Sequence, residues 1–396
     1  MTPIDFRAAA EALREELIAQ RRDFHQHPEL AFEEVRTAGI VAQTLNALGL
    51  EVQTGIGKTG VIGILDGNQP GPTVLVRADM DALPIHEETG AEYASQTPNK
   101  MHACGHDGHT TIALGVAKLL SAHRDQINGR VKFVFQPAEE IAAGARAMIH
   151  DGALNAPHPD VSLGLHLWNT LPFGKLGVAD GAVMAGSDSF KLTITGKGGH
   201  GASPHQTLDP IVCGAQMISA LQSIVSRNVN PLETAVLSVT QFHAGSADNI
   251  IPQTAVLRGT IRAYSSAVRD LLVARIIQVA EGVATAMGCT VEFDLFESTK
   301  PVINDPTVSA QVRQTMLALV DEEHLLLDER TMGAEDVGLF MTDTPGMYFF
   351  VGSANAERGL DAPHHHPRFD FDEAVLPFSV ALMARAVASY VLTDAV

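Results

Sequence analysis

Between residues 60 and 165 the chain alternates short apolar runs with helical stretches. That rhythm restricts it to an α/β layer with a largely parallel, buried sheet. The apolar runs fall at 60–65, 73–78, 131–135 and 161–165, and a helix at about 108–123 separates the middle pair. Ahead of them, residues 6–24 place Phe6, Ala9, Ala10, Leu13 and Leu17 on one helical face. That helix should stop near His27, because Pro28 disfavours helical geometry in the residue before it. A second helix over roughly 36–48 closes at Gly49.

The pattern changes at about residue 187. Phe190, Leu192 and Ile194 alternate with polar neighbours, which predicts a half-exposed strand. A helix at 208–227, strands at 234–243 and 253–264, a helix at 267–287 and a strand carrying Val291, Phe293 and Leu295 follow. In the strand at 253–264, Ala255, Leu257, Gly259 and Ile261 share a face. The order β-α-β-β-α-β is the split βαβ, ferredoxin-like plan, with both helices on one face of the sheet. The 396 residues exceed one ordinary core. Residues 187–297 therefore read as a lid domain inserted into a catalytic domain made of 1–186 and 298–396. The last part returns to α/β grammar, with a strand at 347–351 and a closing helix after Asp372.

Polar clusters fall just after the apolar strands. The run at 73–78 leads into Asp79 and Asp81, that at 131–135 into Glu139 and Glu140, and that at 161–165 into His166. The strand at 347–351 precedes a loop with His364, His365 and His366. In an open α/β sheet, ligands gather outside the carboxyl ends of strands, so these dispersed residues should converge on one crevice. The most specific segment is MHACGHDGH, 101–109, where Cys104 and His106 are metal-ligand types two residues apart between glycines that permit a tight turn. A nucleophilic cysteine is a competing reading, but a thiolate nucleophile needs neither the glutamate pair nor the distant histidines. Adjacent carboxylates such as Glu139 and Glu140 repel and stay ionised together only beside a cation. Taken alone, that pair also fits a solvated helix start, His166 a core histidine, and 364–370 a surface loop.

Composition narrows the classes of partner. Charged residues are 18% and hydrophobic residues 45%, which fits a folded chain with a sizeable core. A net charge of −19 with no basic run leaves no footprint for nucleic acid. No apolar stretch approaches the roughly 18 residues of a membrane span. The N-terminus lacks a basic segment followed by an apolar one. Cys104, Cys213 and Cys289 are few and far apart, which predicts no disulfide framework and a reduced, cytoplasmic setting.

RADMDALPI (77–85), MHACGHDGH, FQPAEE (135–140), LGLH (163–166), GGHGASPH (198–205), NIIP (249–252) and HHHPRFD (364–370) together resemble the M20 metallopeptidase family. The likeness is to its amidohydrolase subgroup, which includes hippurate hydrolases and indole-acetyl-amino-acid hydrolases. The motifs run in the family's order over nearly the whole chain. The resemblance implies two divalent ions held by Cys104, His106, Glu140, His166 and one histidine of the triple, which is His365 counting back from Pro367, with His364 and His366 as the alternatives, and with Cys104 in the bridging position. It puts Glu139 in the general-base position and Asp81 in a supporting one. It places His200, Asn249 and Arg262, from the lid, near the substrate, His200 as an oxyanion donor and Arg262 as a partner for the substrate carboxylate. It also implies a homodimer joined through the lids, with His200 serving the opposite subunit. Mixed sulfur, nitrogen and oxygen donors suit zinc, with nickel, cobalt and manganese as alternatives. The expected reaction is hydrolysis of an N-acyl amino acid, a small-molecule partner. Alternatives within the family are a dipeptidase, an aminoacylase or an N-acetyl-diaminopimelate deacetylase. A phosphoester-cleaving two-metal enzyme would want cationic side chains near the metals, and only Arg77 is close in sequence. A non-catalytic metal- or peptide-binding protein would not need Glu139.

Overall fold

The computed structural model describes residues 4–392 and divides into two compact units. Of the described residues, the first comprises 4–183, 302–330 and 336–392, and the second 184–301 and 331–335. The short return of 331–335 to the second unit has no counterpart in the expected boundaries. It is bound there by backbone contacts: Ala185 N–H donates to Gly333 O, and Met184 bridges to Thr331.

The first unit is built on an eight-stranded sheet. Its middle is parallel: Asn128–Gln136, Gln69–Asp79, Val161–Pro172 and Gly346–Ala354 lie side by side in that order. The antiparallel pair Glu51–Ile56 and Gly60–Asp66 extends one edge, and the two-residue strands Leu176–Gly177 and Leu325–Leu326 extend the other. The sheet is thus mixed at its edges. The strand Glu51–Ile56 was not foreseen, because most of its residues are exposed and it carries no apolar run.

Side chains alternate across this sheet with a period of two. Val74, Val76, Phe133 and Phe135 enter the larger core, whereas Leu75 and Val134, from the same strands, enter a smaller core on the opposite face. The helices Arg14–Gln26, His106–Ser121 and Val375–Val391 supply Leu17, Val116 and Val380 to the larger core. Each such buried side chain contributes on the order of 1.5–3 kcal/mol relative to exposure. The predicted helix over 6–24 is two helices, Phe6–Glu11 and Arg14–Gln26. Leu13 N–H bonds to Ala10 O, an i to i−3 contact that tightens the turn between them. Among the described residues no helix is long and apolar enough to cross a membrane.

Register brings the strand ends level. Asp79 lies opposite Gln136, Arg77 opposite Gly164, and His166 opposite Phe350. Asp79 ends its strand and the Glu139–Glu140 loop follows Gln136, whereas His166 lies midway along Val161–Pro172, a strand that runs past the expected end at 165; the register brings the three level.

The second unit has a four-stranded antiparallel sheet. Its order is Ala235–Ala244, Thr254–Ala263, Gly186–Thr195 and Thr290–Thr299, the arrangement of the split βαβ plan. The helices Pro210–Asn228 and Ser266–Ala286 share one core with it, in which Leu192, Leu257, Leu221 and Ile276 are fully buried. Asp209 caps the first helix through its carboxylate and Ser265 the second through its hydroxyl. A two-stranded ladder pairs Gly199–His200 with Ile250–Ile251.

Candidate metal centre

Cys104 and His106 straddle the start of the helix His106–Ser121. Gly105 between them has φ +98°, a left-handed conformation that glycine adopts without strain. That turn puts the thiol and the imidazole on the same side. His106 Nδ1–H donates to Asp81 O at 2.9 Å, which leaves Nε2 facing the site. His106 Nε2 lies 3.9 Å from Glu140 Oε1, 4.0 Å from Glu139 Oε2 and 3.8 Å from Asp79 Oδ2.

The Glu139–Glu140 loop is shaped by backbone constraints. Ala138 and Ala142 both have φ +53°, an uncommon conformation for residues with a Cβ that costs of order 1–3 kcal/mol each. The carboxylate of Asp81 compensates by clasping the loop: Oδ1 accepts from Glu139 N and Oδ2 from Glu140 N, both at 3.0 Å. Glu34, buried beneath, accepts from Ala138 N at 2.9 Å. A Cβ on Gly144 would meet Pro137 O at 1.5 Å, so only glycine lets the loop close.

Two groups of donors share one atom. Cys104, His106 and His166 offer ligand atoms all within 4.8 Å of one another, and so do Cys104, Glu140 and His365. Cys104 Sγ is 3.6 Å from His166 Nε2, and His365 Nε2 is 3.3 Å from Glu140 Oε2. His365 adopts φ +63° and is tied back by its N–H to Ala103 O at 2.7 Å. Its neighbours are engaged elsewhere. His364 Nε2 accepts from Asn169 N at 3.1 Å, and His366 Nδ1 accepts from Arg368 N at 3.0 Å.

Burial alone would lower the pKa of His106, but the Asp79 carboxylate and the hydrogen bond to Asp81 raise it to about 10. Burial, with His109 and His364 nearby, holds His166 well below its ordinary value. His365 is raised by its hydrogen bond to Glu140. Both His106 Nε2 and Glu140 Oε1 are buried with no hydrogen-bond partner. Buried polar atoms left without a partner are costly unless another group meets them, and a bound cation would take the place of the proton on His106 and meet the Glu140 carboxylate. A thiol, imidazoles and a carboxylate converging on that spot fit divalent metal ions.

A supporting layer escaped the sequence reading. His109 Nδ1–H donates to Asp79 Oδ1 at 2.7 Å, and its Nε2 accepts from Leu167 N at 2.9 Å. Arg77 pairs with Asp79, and its Nε donates to Gln136 Oε1 at 2.8 Å. Asp336 accepts from Gln136 Nε2 at 2.6 Å and from Ala145 N at 3.0 Å. Deeper still, fully buried Arg21 pairs with Asp107 and Asp370, each at 2.8 Å. Two of these residues, Asp107 and His109, lie within the MHACGHDGH segment.

The remaining expected residues sit in the second unit. His200 is exposed and paired with Ile250, and its Nδ1 accepts from Ala202 N at 3.0 Å. Its Nε2 is then the protonated nitrogen of the neutral ring. Asn249 O accepts from Gly201 N at 2.8 Å, which places Asn249 beside His200. Arg262 is partly buried, and its Nη1 donates to Met332 O at 2.9 Å.

An α/β sheet with a thiol, imidazoles and carboxylates gathered at its strand ends is the architecture of a metal-dependent hydrolase. The family model Peptidase family M20/M25/M40 matches residues 75–389, and the chain belongs to this family of hydrolytic enzymes. It is 46% identical over 305 residues to the N-acyl-L-amino acid amidohydrolase of Geobacillus stearothermophilus, covering 77% of this chain and 82% of that one. It is 39% identical to thermostable carboxypeptidase 2 of Saccharolobus solfataricus, covering 91% of each. A solved dinuclear metal-binding peptidase of the M20 family from Bacillus subtilis superposes with a TM-score of 0.83 at 36% identity, covering 96% of this chain and 98% of that one.

Proposed function

We propose that this enzyme hydrolyses the amide bond of N-acyl amino acids, of the N-acetyl or hippurate-like kind, releasing a carboxylic acid and a free amino acid. The observation that carries this reading is the shared thiol: Cys104 belongs to two donor groups at once, with Glu139 at their edge. Cys104, His106 and His166 would hold one divalent ion, and Cys104, Glu140 and His365 a second. Zinc suits the donors best, with nickel, cobalt and manganese next. Bound there, such ions supply Lewis acidity toward the acyl carbonyl and acidify water.

The protein's own groups do the rest. Glu139, only 8% exposed, takes a proton from the attacking water on its carboxylate and delivers it to the leaving nitrogen. Asp81 fixes the backbone of Glu139 and so acts as a positioning residue. His200 donates through Nε2 to the oxyanion, an effect often contributing about 3 kcal/mol. Arg262 binds the substrate carboxylate, the planar guanidinium fork matching its two oxygens, and Asn249 contacts the substrate. The two curated relatives support this specificity, since an acyl-amino-acid amidohydrolase and a carboxypeptidase share a leaving group, a free amino acid.

We assign the second unit, residues 187–297 by sequence, as a lid that also joins a homodimer. Its edge strand Ala235–Ala244 is a ready surface for two-fold pairing, and Phe242 on it is 37% exposed. The setting is cytoplasmic, on the sparse and dispersed cysteines.

A panel of N-acetyl, N-benzoyl and indole-acetyl amino acids, each with a free or an amide-capped carboxylate, tests the specificity. At least one free acid should be turned over, and capping should depress kcat/KM severely, because it leaves the cation unpaired. Equal rates for capped and free substrates would remove Arg262 from carboxylate recognition.

A further inference from the structure

Glu34 occupies the N-cap of the helix Val35–Ala47, where a carboxylate ordinarily accepts from the helix's first N–H groups. It makes no such bond. Glu29 caps the helix instead, Oε1 accepting from Arg36 N and Oε2 from Thr37 N, both at 2.9 Å. The Glu34 side chain turns inward and is 0% exposed. Its Oε1 accepts from Phe32 N at 3.0 Å and from Ala138 N at 2.9 Å, and its Oε2 from the Thr59 hydroxyl at 2.5 Å. Phe32 and Ala138 both stand in the left-handed region, at φ +64° and +53°. One oxygen thus joins two left-handed residues of separate loops. Burial raises the Glu34 pKa, and the hydrogen bonds from Thr59 and Ala138 only partly offset that. A carboxyl group kept in so dry a place is costly, and the helix it precedes does not need it.

Ala138 immediately precedes Glu139. Three successive backbone N–H groups, those of Ala138, Glu139 and Glu140, therefore end on buried carboxylates, the first on Glu34 and the next two on Asp81. The same N-terminal segment also steadies the chain beside Asp81: Ala82 N donates to Glu29 O at 2.8 Å, and Leu30 bridges to Ala82. We propose that Glu34 is a positioning residue for the proton transfer, fixing the backbone at Ala138 so that the Glu139 carboxylate meets the attacking water. This inference rests on Glu139 being the general base. Without Glu34 the Ala138 N–H is stranded, the left-handed turn loses its lock, and the Glu139 carboxylate spreads over several positions. A displacement of about 1 Å at a reacting group can cost about 100-fold in rate. The ion-holding groups are spared, because Glu140 N keeps its bond to Asp81 and Cys104, His106, His166 and His365 stand on other elements.

The test measures kcat, KM and metal content on one N-acyl amino acid, with full-length, metal-loaded proteins. Glu34→Leu and Glu34→Gln are each made in the wild-type and in the Glu139→Gln background. Glu34→Leu should keep its metal and a KM near wild type, while kcat falls about 10- to 100-fold. Glu34→Gln, whose amide oxygen still accepts from Ala138 N, should regain most of that loss. In the Glu139→Gln background Glu34→Leu should cost nothing further, because the group it positions is gone; a purely structural role would cost the same in both. The proposal is overturned if folded, metal-replete Glu34→Leu keeps the wild-type kcat, if its loss recurs in full beside Glu139→Gln, or if lost metal accounts for the loss. An inactive Glu139→Gln beside an unaffected Glu34→Leu sinks this inference alone, whereas normal turnover by Glu139→Gln sinks the general-base reading and this inference with it. Should Glu34→Leu fail to fold, Glu34→Asp, which keeps the charge but is one methylene shorter, decides by the same comparison.

Discussion

His365, not its neighbours, is the histidine of the triple that faces Glu140. The separation follows from hydrogen bonding: His364 and His366 each spend a ring nitrogen on a backbone N–H, and His365 does not. Elemental analysis after substitution checks the assignment. Cys104→Ala should lose more metal than any other single change, since its sulfur belongs to both donor groups. His365→Ala should lose about one ion per chain, and His366→Ala none. Full metal occupancy in both Cys104→Ala and His365→Ala would refute the donor groups. Loss confined to His364→Ala or His366→Ala would shift the ligand within the triple.

At the scale of elements, the centre is held by helices and loops locked through buried charge. Arg21, on the helix Arg14–Gln26, joins the first turn of the helix His106–Ser121 to the loop at Asp370. Arg21→Met would strand two buried carboxylates, and chemical denaturation should show a loss of about 3–5 kcal/mol. Burial raises the pKa of Asp107, but Arg21 and His25 outweigh it and hold the group far below the usual carboxylate range. A depressed carboxylate contributes stability above its unfolded pKa of about 3.9, and that contribution is lost as pH falls further. Wild-type stability should therefore drop on acidification below about pH 4, and Arg21→Met should show a flatter profile there. An unchanged profile would mean that the pair does not set the acid limit. This layer is where sequence reading stopped. Apolar runs leading into Asp79, Glu139 and His166 are legible because hydrophobic runs and polar residues contrast along the chain. Arg21 and Asp336 meet their partners from positions remote in sequence, with no periodicity to mark them. The exposed strand Glu51–Ile56 was silent for a related reason: its pairing lies in backbone hydrogen bonds, not in side-chain pattern.

For the whole molecule, the proposed homodimer makes a stoichiometric forecast. His200→Ala and Glu139→Gln should each be nearly inactive alone. If the partner subunit's His200 serves each site, a mixed dimer concentrates both defects in one site and leaves the other intact. Random re-association makes half the dimers mixed, so about a quarter of all sites should regain activity. No recovery despite proven subunit exchange would exclude service across the dimer.

The central claim is that a metal-loaded carboxylate and thiolate cluster hydrolyses an amide, with Glu139 moving the proton. The most direct measurement is amino-acid release from an N-acyl amino acid, in parallel with metal content, for wild type, chelated wild type and Glu139→Gln. Two divalent ions per chain are predicted for wild type and for Glu139→Gln. Turnover should vanish on chelation and return with a divalent ion, and it should fall at least about 100-fold in Glu139→Gln. Near-normal release by the metal-replete Glu139→Gln protein, or by the chelated wild type, would contradict the account.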